Sequence, residues 1–376
     1  MKNIQMVDLK GQYQKIKSEI DTAVIHCIES AEFINGTLVK EFQSELENYL
    51  DVRHVIPCAN GTDALQIALM ALDLKMGDEV IVPAFTYVAT AEAIALLKLK
   101  PIMVDVDSNT FNISIEHIRK VITPKTKAIV PVHLYGQCAD MESILEIAKE
   151  FGLFVIEDNA QGIGANYIFK NGKTQKAGTI GHIGTTSFFP SKNLGAYGDG
   201  GALTTNDDVL AHKIRMIANH GQAKKYYHTM VGCNSRLDTL QAAILKVKLK
   251  YLDKYIAHRQ WTASYYDQKF LGKQEIIIPF RVLNSTHVFH QYTLKVPSEK
   301  RDELQKYLQQ CGIPSMIYYP LPLFHQEAFR GEGVDEYDFI HTKELCKSVI
   351  SLPIHTETNN EILDYICTSV LNFFLK

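Results

Sequence analysis

The 376-residue chain predicts an α/β fold: a mainly parallel sheet covered by helices on both faces, followed by a smaller α+β lobe. Three features carry this expectation. From residue 53 to residue 158, short apolar runs alternate with helical stretches. Strands that are apolar on both faces belong to parallel sheets buried between helix layers. A long helical pattern over 237–270 then leaves this unit, and the patterns beyond it read as one strand and two helices. The third feature is length, because a chain of this size buries a sizeable core and commonly divides into two lobes. The expected division is 1–248 and 249–376, with the N-terminal helix free to pack on the smaller lobe.

Residues 13–28 place Ile16, Ile20, Val24 and Cys27 near one face of a helix, and residues 38–50 do the same with Phe42, Leu46 and Tyr49. Phe33-Ile-Asn-Gly between them is a turn. The strand His54-Val-Ile-Pro-Cys-Ala runs into Asn60-Gly-Thr-Asp, which opens a helix over 64–72. Strands over 79–83, 101–105 and 128–132 lead to helices over 88–97, 115–121 and 141–149, and a further strand covers 154–158. Residues 185–189 and 201–205 extend the sheet, the second of them open to an antiparallel placement. In the smaller lobe, residues 291–296 read as a strand, and 301–310 and 360–374 as helices.

Lys and Arg number 39 against 42 Asp and Glu, a net charge of −3 with both signs interspersed, which leaves no footprint for nucleic acid or an anionic membrane. The seven cysteines form no Cys-x-x-Cys pair, so they read as small buried hydrophobes in a reducing compartment. No run reaches the ~18 apolar residues of a membrane span, and the N-terminus has no signal-peptide core. A cytoplasmic protein is expected. No Gly-x-x-x-x-Gly-Lys-Ser/Thr or helix-opening Gly-x-Gly-x-x-Gly supports a nucleoside triphosphate or dinucleotide site. His133 and the other histidines lack metal-ligand spacing.

The stretch most loaded with chemistry is Ser187-Phe-Phe-Pro-Ser-Lys192-Asn-Leu-Gly-Ala-Tyr-Gly-Asp-Gly-Gly201. Its serines can donate to phosphate oxygens, and its glycines let the backbone turn sharply and approach a ligand. A lysine held there is placed to form a Schiff base with a carbonyl cofactor. Most lysines in such loops are simply solvated, but here an apolar run precedes the lysine and two other stretches complement it. One is the strand Val155-Ile-Glu-Asp158, which puts a carboxylate at the sheet edge where open α/β sheets bind ligands. Asp158 could hold the pyridine nitrogen of a cofactor protonated, with Gln161 near the 3-oxygen; it could equally cap the following segment or pair with a structural lysine. The other is Asn60-Gly-Thr-Asp63, where backbone N–H groups and the helix dipole make an anion site and Thr62 adds a hydroxyl, although an ordinary N-cap looks the same. Tyr87, in Pro83-Ala-Phe-Thr-Tyr87, follows a strand and is placed either to stack on a flat ring or to fill the core.

Together these stretches resemble the DegT/DnrJ/EryC1/StrS family of pyridoxal 5'-phosphate (PLP) dependent sugar aminotransferases, of aspartate-aminotransferase fold (fold type I). The resemblance covers nearly the whole chain, and its most specific motifs are the lysine stretch and Gly232-Cys-Asn-Ser-Arg-Leu-Asp-Thr-Leu-Gln-Ala-Ala243. It implies PLP as cofactor, Lys192 as the Schiff-base lysine, Asp158 on the pyridine nitrogen and Gln161 at the 3-oxygen. Gly61, Thr62, Asp63 and Ser187 are implied to hold the phosphate, and Tyr87 to cover the ring. Asn234 is implied to reach the phosphate of the neighbouring subunit's cofactor and Arg236 its substrate, which makes a homodimer with shared sites. A branch of the family has histidine in place of the lysine and performs dehydration; Lys192 sets this chain apart from it.

The resemblance also implies L-glutamate as donor and a keto-sugar nucleotide as acceptor, in amino-sugar biosynthesis for surface polysaccharide such as lipopolysaccharide O-antigen. Segments such as Phe85-Thr-Tyr-Val-Ala-Thr-Ala-Glu92 and Leu134-Tyr-Gly-Gln-Cys-Ala-Asp140 point within the family to amination at C3 of UDP-2-acetamido-2-deoxy-3-keto-glucuronate. One departure bears on that acceptor. Tyr318-Tyr319-Pro320 stands where a His-Tyr-Pro segment meets the sugar nucleotide, and tyrosine can hydrogen-bond but cannot become cationic beside a carboxylate. A dTDP-keto-6-deoxyhexose therefore stays open as acceptor, as does a non-catalytic PLP-binding regulatory role.

Overall fold

The computed structural model describes residues 4–329 and 338–375. Its main sheet contains β1 (His54–Cys58), β2 (Glu79–Pro83), β3 (Lys100–Val104), β4 (Thr126–Ile129) and β5 (Phe154–Asp158). After a small hairpin, β6 (Asn166–Ile168) and β7 (Thr174–Lys176), come β8 (Ile183–Ser187) and β9 (Gly201–Thr205). The order across the sheet is β1-β9-β8-β5-β4-β2-β3, and β9 alone runs antiparallel to its neighbours. The fold is the α/β, fold type I architecture expected.

Alternate strand residues feed two cores. Val55, Ile81, Ile129 and Val155 pack toward α2 (Thr37–Leu50), α6 (Met141–Phe151) and α8 (Thr239–Leu249), numbering helices in chain order from α1 (Leu9–Ser30). Ile56, Val80, Val82 and Ile156 pack on the other side toward α3 (Gly61–Ala71), α4 (Ala89–Leu96) and α7 (Asp208–Ala218). Helix α5 (Ile115–Val121) joins the first core through Ile118. This is the two-sided burial that makes parallel strands apolar throughout. Helix α1 packs mainly on α8, through Ile16, Ile20, Ile244 and Val247. It also reaches the C-terminal region, where Lys15 pairs with Glu357 at 2.7 Å.

The helical stretch expected over 237–270 is two helices, α8 and α9 (Leu252–Phe270). Along α9, Leu252 and Ile256 belong to the first core, whereas Ala263, Tyr266 and Phe270 belong to a third. That third core is closed by β12 (Tyr292–Lys295), α10 (Ser298–Gln310), β13 (Val349–Leu352) and α12 (Asn360–Phe374). A further hairpin, β10 (Gln222–Lys224) and β11 (Tyr227–His228), precedes α8. Strand β13 pairs antiparallel with β12 and was not expected from sequence; it follows α11 (Ile340–Ser348) with no residue between, so no turn marks the change of period. Helix α7 was also not expected, although Asp207 caps it and Ala211, Ile214 and Ala218 line its buried face. Strand β4 ends at Ile129, short of the expected residue 132, because Pro131 has no N–H for the ladder. Among the described residues, no helix is long and apolar enough to cross a membrane.

Arg259 fastens α9 to the segment that passes the active site. It is only 3% exposed, and its Nη1 donates to the carbonyls of Phe289 (3.1 Å), His290 (3.3 Å) and Ile354 (3.0 Å). Burial pushes the guanidinium down to about 10. Arg259→Met should destabilise the protein by about 2–4 kcal/mol, since it strands buried carbonyls. Urea unfolding measures this, and a loss below about 0.5 kcal/mol, the usual surface value, would contradict it.

Candidate active site

Strands β1, β5 and β8 are aligned, so their C-terminal ends reach one edge of the sheet. Gly201, at the start of β9, pairs with both Cys58 and Ser187, which draws the turn after β1 and the end of β8 together. A β-carbon on Gly201 would lie 2.4 Å from the Asn60 carbonyl oxygen, and one on Gly61 would lie 2.7 Å from Ser187 Cβ. Only glycine permits these approaches. Helix α3 starts at Gly61, with the Asn60 side chain accepting from the Asp63 N–H at 2.8 Å. Gly61, Thr62 and Ser187 thus share one cradle at a helix N-terminus, the arrangement that receives an anionic group. Asp63 contributes its N–H to the cap, while its charge helps push the Cys58 and Cys233 thiols up.

Lys192 stands in the turn between β8 and β9. Its N–H donates to Phe189 O at 2.8 Å, and the Asn193 side chain donates to Val288 O at 3.0 Å. Burial of its amine pushes the lysine down to about 8 against the opposing pull of Asp158, so the amine is poised to lose its proton. Asp158, 5% exposed, accepts from Thr90 Oγ1 at 2.7 Å and from the Ala160 N–H at 3.2 Å. Gln161 Oε1 accepts from the Tyr135 N–H at 2.7 Å, and its Nε2 donates to Tyr319 OH at 3.2 Å. The Tyr319 ring stands 6.0 Å from that of Phe85 and 6.2 Å from that of Tyr87. Tyr87 itself is 58% exposed at the mouth.

Lys192, Asp158, Gln161, Tyr87 and Tyr319 are thereby linked by contact or charge, beside the glycine cradle. Tyr318 enters through its backbone, whose carbonyl accepts from Tyr135 OH. Asn234 and Arg236 stand apart on the segment before α8. Asn234 is exposed and Arg236 half-buried, and among the described residues neither side chain has a hydrogen bond or ion pair. His133 has a structural part: it bonds Glu157 at 2.8 Å with both side chains fully buried.

Sequence reasoning passed over three residues here. Thr90 lies in the motif around Tyr87, and its hydroxyl at a helix start was a legible signal. Lys248, on the inner face of α8, donates to the Gly195 carbonyl inside the Lys192 turn and lies 5.1 Å from the Tyr197 ring centre; burial pushes it down to about 7. His290 is held neutral by burial and by the charges of Lys192 and Arg259. Neither of these two carried any mark of spacing.

Fold and site together define a fold type I enzyme with a desolvated lysine facing a strand-end carboxylate. The chain belongs to the DegT/DnrJ/EryC1/StrS aminotransferase family, whose profile matches residues 14–371. It is 46% identical over 375 residues to a pleiotropic regulatory protein of Geobacillus stearothermophilus, with 99% of each chain covered. It is 44% identical over 369 residues to the UDP-2-acetamido-2-deoxy-3-oxo-D-glucuronate aminotransferase of Pseudomonas aeruginosa, covering 98% of this chain and 100% of that one. The structure of S. venezuelae DesV in complex with a ketimine intermediate superposes with a TM-score of 0.95 at 34% identity, covering all of both chains.

The lowered value at Lys192 sets a sign for stability. The unfolded chain binds more protons than the folded one between pH 8 and 10.5, so stability rises with pH across that window. Cofactor-free Lys192→Met should therefore be more stable than cofactor-free wild type at neutral pH, by roughly 2–3 kcal/mol. Urea unfolding at a series of pH values should show the gap closing toward pH 10.5. A gap that does not change with pH would mean that the amine is not desolvated.

Proposed function

We propose that this chain is a PLP-dependent aminotransferase that moves an amino group from L-glutamate to a keto-sugar nucleotide, with C3 of UDP-2-acetamido-2-deoxy-3-keto-glucuronate as the acceptor carbon. The observation that carries the reading is the desolvated Lys192 amine, held in a glycine turn within the field of Asp158. The residues fit the cofactor. Crowding at Gly61 and Gly201 leaves N–H groups and hydroxyls lining a cradle suited to a phosphate.

When bound, PLP supplies the electron sink that lets a C–H bond beside the amino nitrogen ionise. Lys192 would hold it covalently and, once displaced by the donor's amine, carry a proton between the donor's α-carbon and the cofactor's 4'-carbon. Its lowered value suits both halves of that task near neutral pH. Asp158, oriented by Thr90, would keep the pyridine nitrogen protonated. Gln161 would donate to the 3-oxygen, and Tyr87 would shield the ring. Gly61, Thr62, Asp63 and Ser187 would hold the phosphate, Asp63 through the cap it completes. The division into a large unit, 1–248, and a small one, 249–376, belongs to the same proposal; α9 supports it by running from one core into another. So does a cytoplasmic location.

A homodimer is the second part of the reading. The side chains of Asn234 and Arg236 have no hydrogen bond or ion pair among the described residues, and exposed apolar residues lie near them in sequence and fold. Val231 is 85% exposed, and Phe33 and Ile34 are 44% and 53% exposed where Ile34 bridges Asp238. A second copy of the chain would cover this surface and bring Asn234 and Arg236 to the partner's cradle. Arg236 is the candidate for the acceptor's carboxylate, since a guanidinium binds carboxylate in bidentate fashion. Tyr318 and Tyr319 are supporting contacts to the sugar.

The identity with a pleiotropic regulatory protein favours a second reading, a PLP-binding regulator without turnover. A half-reaction separates the two. With PLP bound, L-glutamate should convert the visible band to that of the amine form, and the 3-keto uronate should restore it. No conversion with L-glutamate or other donors supports the regulator. A 3-keto hexose lacking the carboxylate that reacts as well as the uronate overturns the uronate assignment.

Mixed dimers test the shared site. Lys192→Ala and Arg236→Ala homodimers should each be defective. After subunit exchange, one site of a mixed dimer carries both lesions and the other carries none, so activity should return to about half of wild type per mixed dimer. Differently tagged chains establish the exchange. No recovery among exchanged dimers would mean that each site is built from one subunit.

A further inference from the structure

Tyr319 belongs to a segment tied at both ends. Met316 pairs with Ser351 on β13 through N–H···O bonds of 3.1 and 2.7 Å, and the Leu323 N–H donates to the Ala84 carbonyl beyond β2 at 3.1 Å. Between these points the Tyr318 carbonyl accepts from Tyr135 OH. The Tyr319 ring, set against Phe85 and Tyr87, is thus carried to the sheet edge by elements of the third core.

There its hydroxyl meets an amide whose oxygen end is assigned by a backbone donor. The Tyr135 backbone N–H can only donate, so Gln161 must turn Oε1 toward it, at 2.7 Å. Tyr135 holds that N–H in place from a left-handed backbone conformation, φ 57°, which is uncommon for a bulky residue. Nε2 is consequently directed at Tyr319 OH, at 3.2 Å, and one of its two hydrogens is used there. The second has no protein acceptor among the described residues. The Tyr135 N–H thus holds the oxygen of Gln161, and among the described residues Tyr319 OH is the one protein partner that holds its nitrogen.

We propose that Tyr319 is a positioning residue that holds the Gln161 amide with its free N–H toward the 3-oxygen of PLP, and thereby sets the pH at which the loaded site titrates. The inference rests on the reading that Gln161 serves the 3-oxygen. It gives Tyr319 a second duty beside the sugar, since the hydroxyl that would contact the acceptor also orients the cofactor's donor. The titratable groups around this point are Asp158, Tyr318 and Tyr87 beside Tyr319, with Tyr135 across the amide, and His290 beside Lys192. The direction follows from charge. With the cofactor bound, a donor on its 3-oxygen would withdraw negative charge from the neighbourhood of the Lys192 nitrogen, so that the proton there would leave at lower pH.

The test is a pH titration of the visible band of the PLP-loaded protein, without substrate. Gln161→Ala removes the donor and should raise the midpoint by about one pH unit. Tyr319→Phe keeps the ring against Phe85 and Tyr87 but removes the hydroxyl, and should raise the midpoint in the same direction by about half a unit. In the Gln161→Ala background, Tyr319→Phe should add nothing, because it acts through the amide. If Gln161→Ala moves the midpoint and Tyr319→Phe does not, Tyr319 serves the sugar alone and the inference is wrong. Additive shifts in the double variant overturn it too, since the hydroxyl would then act without Gln161. If Gln161→Ala itself leaves the midpoint in place, the assignment of Gln161 to the 3-oxygen falls, and the role of Tyr319 falls with it.

Discussion

The close approach of three backbone segments at Gly201 and Gly61 is the constraint on which the site depends. Gly201 is paired in register with strands on both sides, and the Asn60 carbonyl presses on the space a side chain would fill. Because β9 is the one antiparallel strand, the chain leaves β8, makes the Lys192 turn at the sheet edge and re-enters beside the strand it has just left. A parallel β9 would have required a crossover and would have moved the start of the strand to the opposite edge. The single reversal in the sheet is thus what puts a lysine-bearing turn over the start of α3.

Strand β5 shows how one alternation separates structure from chemistry. Glu157 and Asp158 are adjacent, so their side chains leave opposite faces of the strand. Glu157 is fully buried and accepts from the N–H groups of Gly178 (2.8 Å), Ile180 (2.6 Å) and Gly181 (2.6 Å) as well as from His133. With that many donors its carboxylate is spoken for, and it fixes the path of the chain between β7 and β8. Asp158 keeps one hydroxyl and one backbone donor, which orient it without exhausting its acceptor capacity. A buried acid with a full set of partners is scaffold; its neighbour, partly satisfied, is free for a ligand.

What could be read from sequence follows the range of each interaction. Strands β2, β5 and β9 have the expected boundaries because apolar runs bounded by turn residues are local signals. The placement of Asp158, Gln161 and Lys192 at one edge of the sheet was legible because each sits at a fixed offset from a strand end or a glycine turn. The stretch over 237–270 reads as a long helix open to a kink, but the place of the break between α8 and α9 was not legible, since helical periodicity runs through Lys250 and Tyr251 and only the packing of two cores interrupts it. Lys248 and Arg259 were invisible for a related reason. Each lies among helix-compatible residues, and what distinguishes them is a carbonyl contributed from far along the chain, at Gly195 for one and at Phe289, His290 and Ile354 for the other. The meeting of Tyr319 with Gln161 spans 158 residues, a distance at which no motif operates.

These long-range contacts share a sign. Burial pushes both Lys248 and His290 down, helped by the charge of Arg259 at the first and of Lys192 and Arg259 at the second, so the wall behind the site is a line of desolvated basic side chains, His290 neutral among them, with backbone carbonyls as partners of Lys248 and Arg259. Among the described residues, Asp158 alone supplies a charge opposite to that of Lys192. Such a wall is unfavourable to fold, because each group loses water without gaining a carboxylate. It is favourable to a ligand that brings negative charge to the front of it. The cofactor's phosphate and 3-oxygen and the diphosphate of a sugar nucleotide are all anions, and each would recover part of what desolvation cost. The same loss of water leaves Lys192 close to losing its proton near neutral pH, which is the state a nucleophilic amine needs. Destabilisation of the empty site and reactivity of its lysine are therefore one property of the fold, set by the burial of the Lys192 amine.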